Sequence, residues 1–286
     1  MQEIISNVYM ETGYAGVTLG AINCPHGLIL VDAPFRLEDS RSWRSALLNL
    51  GGGVERLLVN LDSHLDRALG VRAMECTVIG HEKMAEVFRN RPVTFKTQPA
   101  ETGAEWELYN NLGSVRWLPP EITFTESFNI HCDGSPILLD HRPGPDHGAI
   151  WLRMPEEGIA FVGDTITINQ PPFFSTADLP QWIERLEELL SPEFQDYILI
   201  CGRGGIARRE HVRTQLQILQ EVLERLEILA QANAAPYEAE RLAPELMKRF
   251  TVNREFRIMY ESRLRYGLQY YYLRHYRPAD VDVSEE

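Results

Sequence analysis

Asp62, His64 and Asp66 alternate along the chain and Arg67 follows directly, all just after the apolar run Arg56-Leu57-Leu58-Val59-Asn60. Two carboxylates and an imidazole are oxygen and nitrogen donors of the types that zinc, manganese and iron accept. Arg67 is of the opposite kind, because a guanidinium stays protonated and has no lone pair for a metal. A short His/Asp match taken alone usually marks an exposed turn, so its weight depends on the rest of the chain. Three further segments bear on it. Pro143-Gly144-Pro145-Asp146-His147-Gly148 precedes the run Ala149-Ile150-Trp151-Leu152. Gly163-Asp164 closes the run Ile159-Ala160-Phe161-Val162, and Arg203 lies between two glycines after Tyr197-Ile198-Leu199-Ile200-Cys201.

These four segments, in this order, resemble the signature of the metallo-β-lactamase superfamily. That signature is a His-x-His-x-Asp-His loop after a buried strand, a Pro-Gly-His loop, a strand ending in Gly-Asp, and a late strand leading into Gly-His-Gly. Asp62, His64, Asp66 and Arg67 take the four loop positions, Pro145 and Arg203 stand where two further histidines belong, and Asp164 keeps the bridging aspartate. The resemblance implies an α+β fold, a four-layer αββα sandwich over residues 1–206, and metal-dependent hydrolase chemistry. It also implies that a first metal would retain Asp62, His64 and Asp164, with His147 or Asp146 as a substitute ligand after a loop shift. A second metal would retain only Asp66 and the shared Asp164, since Arg67 and Arg203 stand at both of its histidines.

Asp62, Asp66 and Asp164 set against Arg67 and Arg203 leave one net negative charge. One divalent ion, or a protonated His64 with no ion, is compatible with that balance. A second divalent ion would crowd the guanidiniums at several kcal/mol even at an effective dielectric of about 20. The expectation is therefore no cofactor or one divalent transition metal (zinc, manganese or iron), and a binuclear site is rejected. Two functional readings stand. In the first, a mononuclear hydrolase or oxygenase activates a bound water, Asp66 or Asp164 orients it, and Arg67 or Arg203 holds an anionic substrate or a developing oxyanion. In the second, a metal-free pseudoenzyme binds a ligand or a partner, and the two arginines form ion pairs with Asp66 and Asp164 in place of the second metal. His64 as a metal-independent general base is a third arrangement, but no nucleophile is identifiable beside it. Fold analogy does not choose the reaction.

The elements that must position these residues follow from apolar patterning. Residues 17–23 and 28–31 read as a hairpin around Cys24-Pro25-His26-Gly27, ended by Asp32. Residues 37–50 read as a helix closed by Gly51-Gly52-Gly53, 76–79 as a strand and 81–89 as a helix. Residues 91–120 are polar and proline-rich, an inserted loop or lid with a short amphipathic helix at 106–112. Strands at 122–124, 128–131, 137–139, 149–152 and 159–162 read as the second sheet, and 178–190 as a helix capped by Asp178.

From residue 207 to 286 the pattern becomes a helical extension. Val212, Leu216, Leu219, Leu223, Leu226 and Ala230 form a narrow apolar seam that suits packing on the core or a homodimer. Further helices are expected from near Pro236 and from near Asn253 to before Pro278. The last carries Arg254, Arg257, Arg263, Arg265, Arg274 and Arg277 among six tyrosines, a mixture suited either to a small anionic ligand or to packing with arginines along the edge.

Composition narrows the partners. A formal net charge of -13 over 286 residues disfavours nucleic acid and anionic membranes. The four cysteines, Cys24, Cys76, Cys132 and Cys201, are scattered without a Cys-x-x-Cys pair. No apolar run approaches the length of a membrane span and no leader pattern opens the chain, so a cytoplasmic location is expected.

Overall fold

In the computed structural model, residues 1–51, 55–91, 94–95, 102–109, 112, 115–116, 118–132 and 134–277 are described. Two sheets stack face to face. The first runs in the order β1 (Gln2–Ile5), β2 (Val8–Glu11), β3 (Leu19–Cys24), β4 (Gly27–Val31), β5 (Glu55–Val59), β6 (Thr77–His81) and β9 (Ile122–Phe124), with β7 (Thr94–Phe95) and β8 (Val115–Arg116) forming a separate ribbon. The second sheet runs in the order β10 (Ser127–Ile130), β11 (Ile137–His141), β12 (Ile150–Met154), β13 (Ile159–Thr167), β14 (Ile198–Arg203) and β15 (Gly205–Ala207).

The continuous apolar stretches occupy the parallel centres, where a strand is covered on both faces. β4 pairs in parallel with β5, β5 with β6, and β13 with β14. All nine residues of β13 are buried. Between the sheets, Ile22, Ile29, Val31, Val59 and Ile79 meet Leu139, Leu152, Ile159, Phe161 and Ile200 in one apolar layer.

One helical layer covers each outer face. α1 (Leu37–Leu47) lays Trp43 and Leu47 on Leu19, Leu30 and Leu58, and a short 3-10 turn then ends at Gly51, whose φ of 67° is the left-handed stop. α2 (Leu65–Ala68) and α3 (Glu82–Asn90) follow β5 and β6. The second sheet is covered by α4 (Leu179–Leu190), α5 (Arg209–Gln231), α6 (Pro236–Glu240), α7 (Ala243–Leu246) and α8 (Arg257–Tyr276). Asp178 caps α4 by accepting the Gln181 N–H at 3.0 Å. Trp182, Leu186, Val212, Leu219, Leu264, Leu268 and Tyr271 then share a single cluster with Trp151, Ala160 and Val162 of the sheet. The α5 seam points into this cluster: Val212, Leu219 and Leu226 are fully buried, and Leu216, Leu223 and Ala230 pack at its margin.

Two sequence expectations need correction. Ile122–Phe124 belongs to the first sheet, where it pairs in parallel with β6, because apolar alternation marks a strand without saying which neighbour it takes. Of the short amphipathic helix expected at 106–112, Trp106, Glu107 and Leu108 lie in a 3-10 turn, Glu105–Leu108, and residues 110 and 111 lie outside the described residues. Gly52, Gly53, much of residues 92–117 and Pro278 lie outside the described residues.

The parallel strand pairs place the carboxyl ends of β4, β5 and β14, and the middle of β13, at one edge of the sandwich. Such edges are where open α/β sheets gather functional groups.

Candidate functional site

Asp32 follows β4 directly, and its Oδ1 accepts the Leu61 N–H at 2.9 Å and the Asn60 amide at 3.2 Å. This fixes the loop after β5. Within that loop Asp62 accepts the His64 N–H at 2.9 Å, and His64 caps α2 by accepting the Asp66 N–H on Nδ1 at 3.2 Å. The turn of helix that follows carries Asp66 and Arg67 inward, both fully buried. Asp164 projects from the middle of β13 and Arg203 ends β14. Gly202 is needed for this approach: a Cβ there would lie 2.4 Å from Asp164 Oδ1 and 2.8 Å from Arg67 Nη2.

The two arginines fill the centre. Arg67 donates from Nη1 to Asp32 Oδ2 at 2.9 Å and from Nη2 to Asp164 Oδ1, while its Nε lies 3.0 Å from Asp62 Oδ1 as an ion pair off the hydrogen-bond axis. Arg203 donates from Nε to Asp164 Oδ2 at 3.0 Å and from Nη1 to Asp66 Oδ2 and Glu105 Oε2, each at 2.8 Å. Its Nη2 stands 3.0 Å from His64 Nδ1. Asp164 therefore holds one guanidinium on each oxygen. Arg203 takes the two partners that the sequence assigns to the arginine pair, whereas Arg67 pairs with Asp32 and Asp62 rather than with Asp66.

Three contributors escape sequence reasoning. Glu105 enters from the 3-10 turn, whose Glu105 and Trp106 N–H groups also donate to Asp66 at 3.3 and 2.9 Å. Arg263 reaches in from α8, 1% exposed, donating to the Gly103 carbonyl at 2.8 Å, to Gln170 at 2.8 Å and to the Pro171 carbonyl at 3.0 Å. Its Nη2 lies 3.0 Å from Glu105 Oε1. Phe173 closes the group: its ring centre is 3.9 Å from the Arg263 Cζ, 4.7 Å from the Arg203 Cζ and 4.2 Å from the His64 ring centre. No local spacing marks these residues, because each contact spans a long stretch of chain.

Asp32, Asp62, Asp66, Glu105 and Asp164 against Arg67, Arg203 and Arg263 leave a formal excess of two negative charges. Burial pushes Asp62 up to about 8 despite Arg67, and burial together with Glu105 pushes Asp66 up to about 7. Burial acts the same way on Glu105 and Asp164 but is outweighed. Arg263 and Arg203 hold Glu105 at about 2, and Arg203 and Arg67 hold Asp164 well below the usual carboxylate range. Protons retained on Asp62 and Asp66 thus bring the cluster toward neutrality. Burial and Arg203 hold His64 well below its ordinary value. Its Nδ1 accepts from Asp66 N–H, so the neutral ring carries its proton on Nε2.

The donor set does not fit a metal. His64 Nδ1 and both Asp164 oxygens are engaged by guanidinium, and Asp62 is held by Arg67 and the His64 N–H. The space between Asp62, His64, Asp146, Asp164 and Phe173 is about 10 Å³, room for roughly one water centre. Among the described residues no group of three or more His, Cys, Asp or Glu side chains is arranged to hold an ion. The sequence-suggested substitutes are occupied elsewhere. His147 is exposed with its ring 3.3 Å from Arg274 Nη2. Asp146 accepts the Ser63 hydroxyl and the Gly148 N–H, each at 2.7 Å. A separate cavity of about 250 Å³ touches the cluster at Glu105 and Arg203.

No protein-family profile matches this sequence, and no curated protein does. Solved structures do match. A metallo-β-lactamase family protein from Thermus thermophilus aligns over 97% of this chain and 95% of its own, at 17% identity and a TM-score of 0.66. A metallo-β-lactamase from Pontibacter korlensis aligns over 77% of this chain and 97% of its own, at 18% identity and a TM-score of 0.59. A stereoselective inverting sec-alkylsulfatase from a Pseudomonas species aligns over 98% of this chain but only 51% of its own, at 15% identity and a TM-score of 0.64. The chain has the metallo-β-lactamase fold. An alignment over 97% of its length must take in most of the C-terminal helices as well. Among the described residues no helix is long and apolar enough to cross a membrane.

Proposed function

We propose that this chain is a metal-free pseudoenzyme of the metallo-β-lactamase superfamily. In it Arg67 and Arg203 supply the fixed positive charge that metal ions provide elsewhere on the fold, and the protein acts by binding. The observation that carries this reading is the double engagement of Asp164, which accepts Arg67 on one oxygen and Arg203 on the other. Removing one partner of a buried ion pair strands the other charge at about 3–5 kcal/mol. A metal at Asp164 would have to break two such pairs. The mononuclear alternative needs Asp62, His64 and Asp164 freed together.

Thermal unfolding with and without metal tests the reading. A metal that binds the native state raises the midpoint by linkage. The expected result is no rise with zinc, manganese or iron beyond that seen in the Asp62→Ala and His64→Ala variants. A rise confined to the unaltered chain favours the mononuclear form.

A further inference from the structure

The sandwich has a second cavity, of about 210 Å³, at the edge opposite the charged cluster. Asp32 follows the end of β4, whereas this cavity lies where β4 and β5 begin. The hairpin between β3 and β4 lines it on the side of the first sheet, and the end of β10 lines it on the side of the second. Each side brings one free cysteine, Cys24 from the hairpin and Cys132 from just beyond β10. The Cys24 thiol is hydrogen bonded to Cys132, and both pack in the apolar layer between the sheets. Two cysteines that the sequence scatters are therefore neighbours across the sandwich.

The two thiols differ in access. Cys24 is buried, 9% exposed, while Cys132 is half-buried. Burial and the adjacent Cys132 push the Cys24 thiol up to about 12, so it keeps its proton. A solute that enters the cavity reaches Cys132 first. Exchange with a disulfide needs one reachable thiol and a second within reach of the sulfur that the first has captured. Strand β10 also stands at the margin of its sheet, next to β11 alone in the strand order. A bond from Cys132 to Cys24 would anchor the end of that edge strand to the other sheet.

We propose that Cys24 and Cys132 form a thiol–disulfide exchange site, at which a low-molecular-weight disulfide converts the pair into a cystine that joins the two sheets. Cys132 Sγ, as thiolate, attacks one sulfur of the external disulfide. That S–S bond breaks, the first small thiol leaves with the proton that Cys132 gave up, and a mixed disulfide remains. Cys24 Sγ then attacks Cys132 Sγ, and the second small thiol leaves with the Cys24 proton. Two protein thiols are oxidised and one small disulfide is reduced to two thiols. Burial makes Cys24 a weak nucleophile, which its position beside Cys132 offsets. Burial also denies the pair the stabilised thiolate that makes a disulfide strongly oxidising. The site is independent of the metal-free reading, because it lies at the opposite edge from Asp164 and Arg203.

Incubation of the folded full chain with oxidised glutathione, followed by alkylation and peptide mapping by mass spectrometry, tests this. More than about half of the chains should yield a peptide linked through Cys24 and Cys132, reversible by dithiothreitol. Cys24→Ala should instead retain glutathione on Cys132. In Cys132→Ser, Cys24 should take up glutathione at least about tenfold more slowly than Cys132 does in Cys24→Ala. Thermal unfolding of all three reduced proteins shows that the variants fold. The bond closes a loop of roughly 100 residues, so it should raise the midpoint of the unaltered chain by about 5 °C or more, and neither variant should show that rise. Stable glutathione on Cys132 of the unaltered chain without the link, no reaction at either thiol, or a link made without a rise in midpoint would each overturn the proposal.

Discussion

Nη2 of Arg203 stands 3.0 Å from Nδ1 of His64. The imidazole lone pair that faces the cluster is thus turned to a guanidinium and to the Asp66 N–H. A residue of metal-ligand type is here the acceptor in a network of fixed cations. The same Arg203 ties together segments 66, 105 and 164, which no single secondary-structure element connects.

Loss of Arg203 should therefore be severe. Arg203→Met leaves Asp66, Glu105 and Asp164 with one guanidinium fewer in a buried site, and a loss of about 3–5 kcal/mol in urea unfolding is expected. Arg67→Met should fall in the same range through Asp32, Asp62 and Asp164. A loss below about 1 kcal/mol for both would mean that these pairs are not what holds the edge together.

Asp62 gives a pH dependence with a definite sign. Its carboxyl is raised from 3.8 to about 8 in the folded chain by burial. As pH climbs between those values, the unfolded chain releases a proton that the folded chain keeps, so stability falls. Asp62→Asn imitates the protonated form and still accepts the His64 N–H. Relative to the unaltered chain it should gain more than about 1 kcal/mol between about pH 5 and pH 8. Parallel stability curves for the two proteins would contradict the assignment.

Gly202 tests the closeness of the strands. Gly202→Ala puts a methyl against Asp164 and Arg67 and should cost about 1–3 kcal/mol. Gly134→Ala is the control, since its nearest contact is the Cys132 carbonyl oxygen at 3.7 Å, and should leave the urea midpoint nearly unchanged.

How much of this could be read beforehand depended on whether the signal was local. Asp62, His64, Asp66 and Arg67 sit on one loop, and Asp164 and Arg203 each end or punctuate an apolar strand, so the fold and the gathering of these six side chains at one edge were visible in order and spacing. Asp32 was visible as the residue ending β4, though not its pairing with Arg67. Glu105 and Arg263 meet from distant parts of the chain, one from a polar proline-rich stretch and the other from a helix whose arginines look alike. Only packing distinguishes buried Arg263 from Arg265 two residues on, which is 42% exposed at its side chain. The sheet membership of Ile122–Phe124 was hidden for the same reason, since strand patterning carries no information about its partner.

The α5 seam makes a prediction about assembly. Leu219 is fully buried within the chain's own cluster, so Leu219→Ala should lose about 2–5 kcal/mol. The unfolding midpoint should not vary with protein concentration, whereas a seam used between two copies would make it do so.

The decisive measurement is the metal content of the full chain, purified without chelators and dialysed against zinc, manganese and iron in turn. With both Asp164 oxygens and His64 Nδ1 committed to arginine, less than about a tenth of an equivalent should remain bound. About one equivalent of a transition metal, lost in both Asp62→Ala and His64→Ala, would contradict the replacement of metal by Arg67 and Arg203.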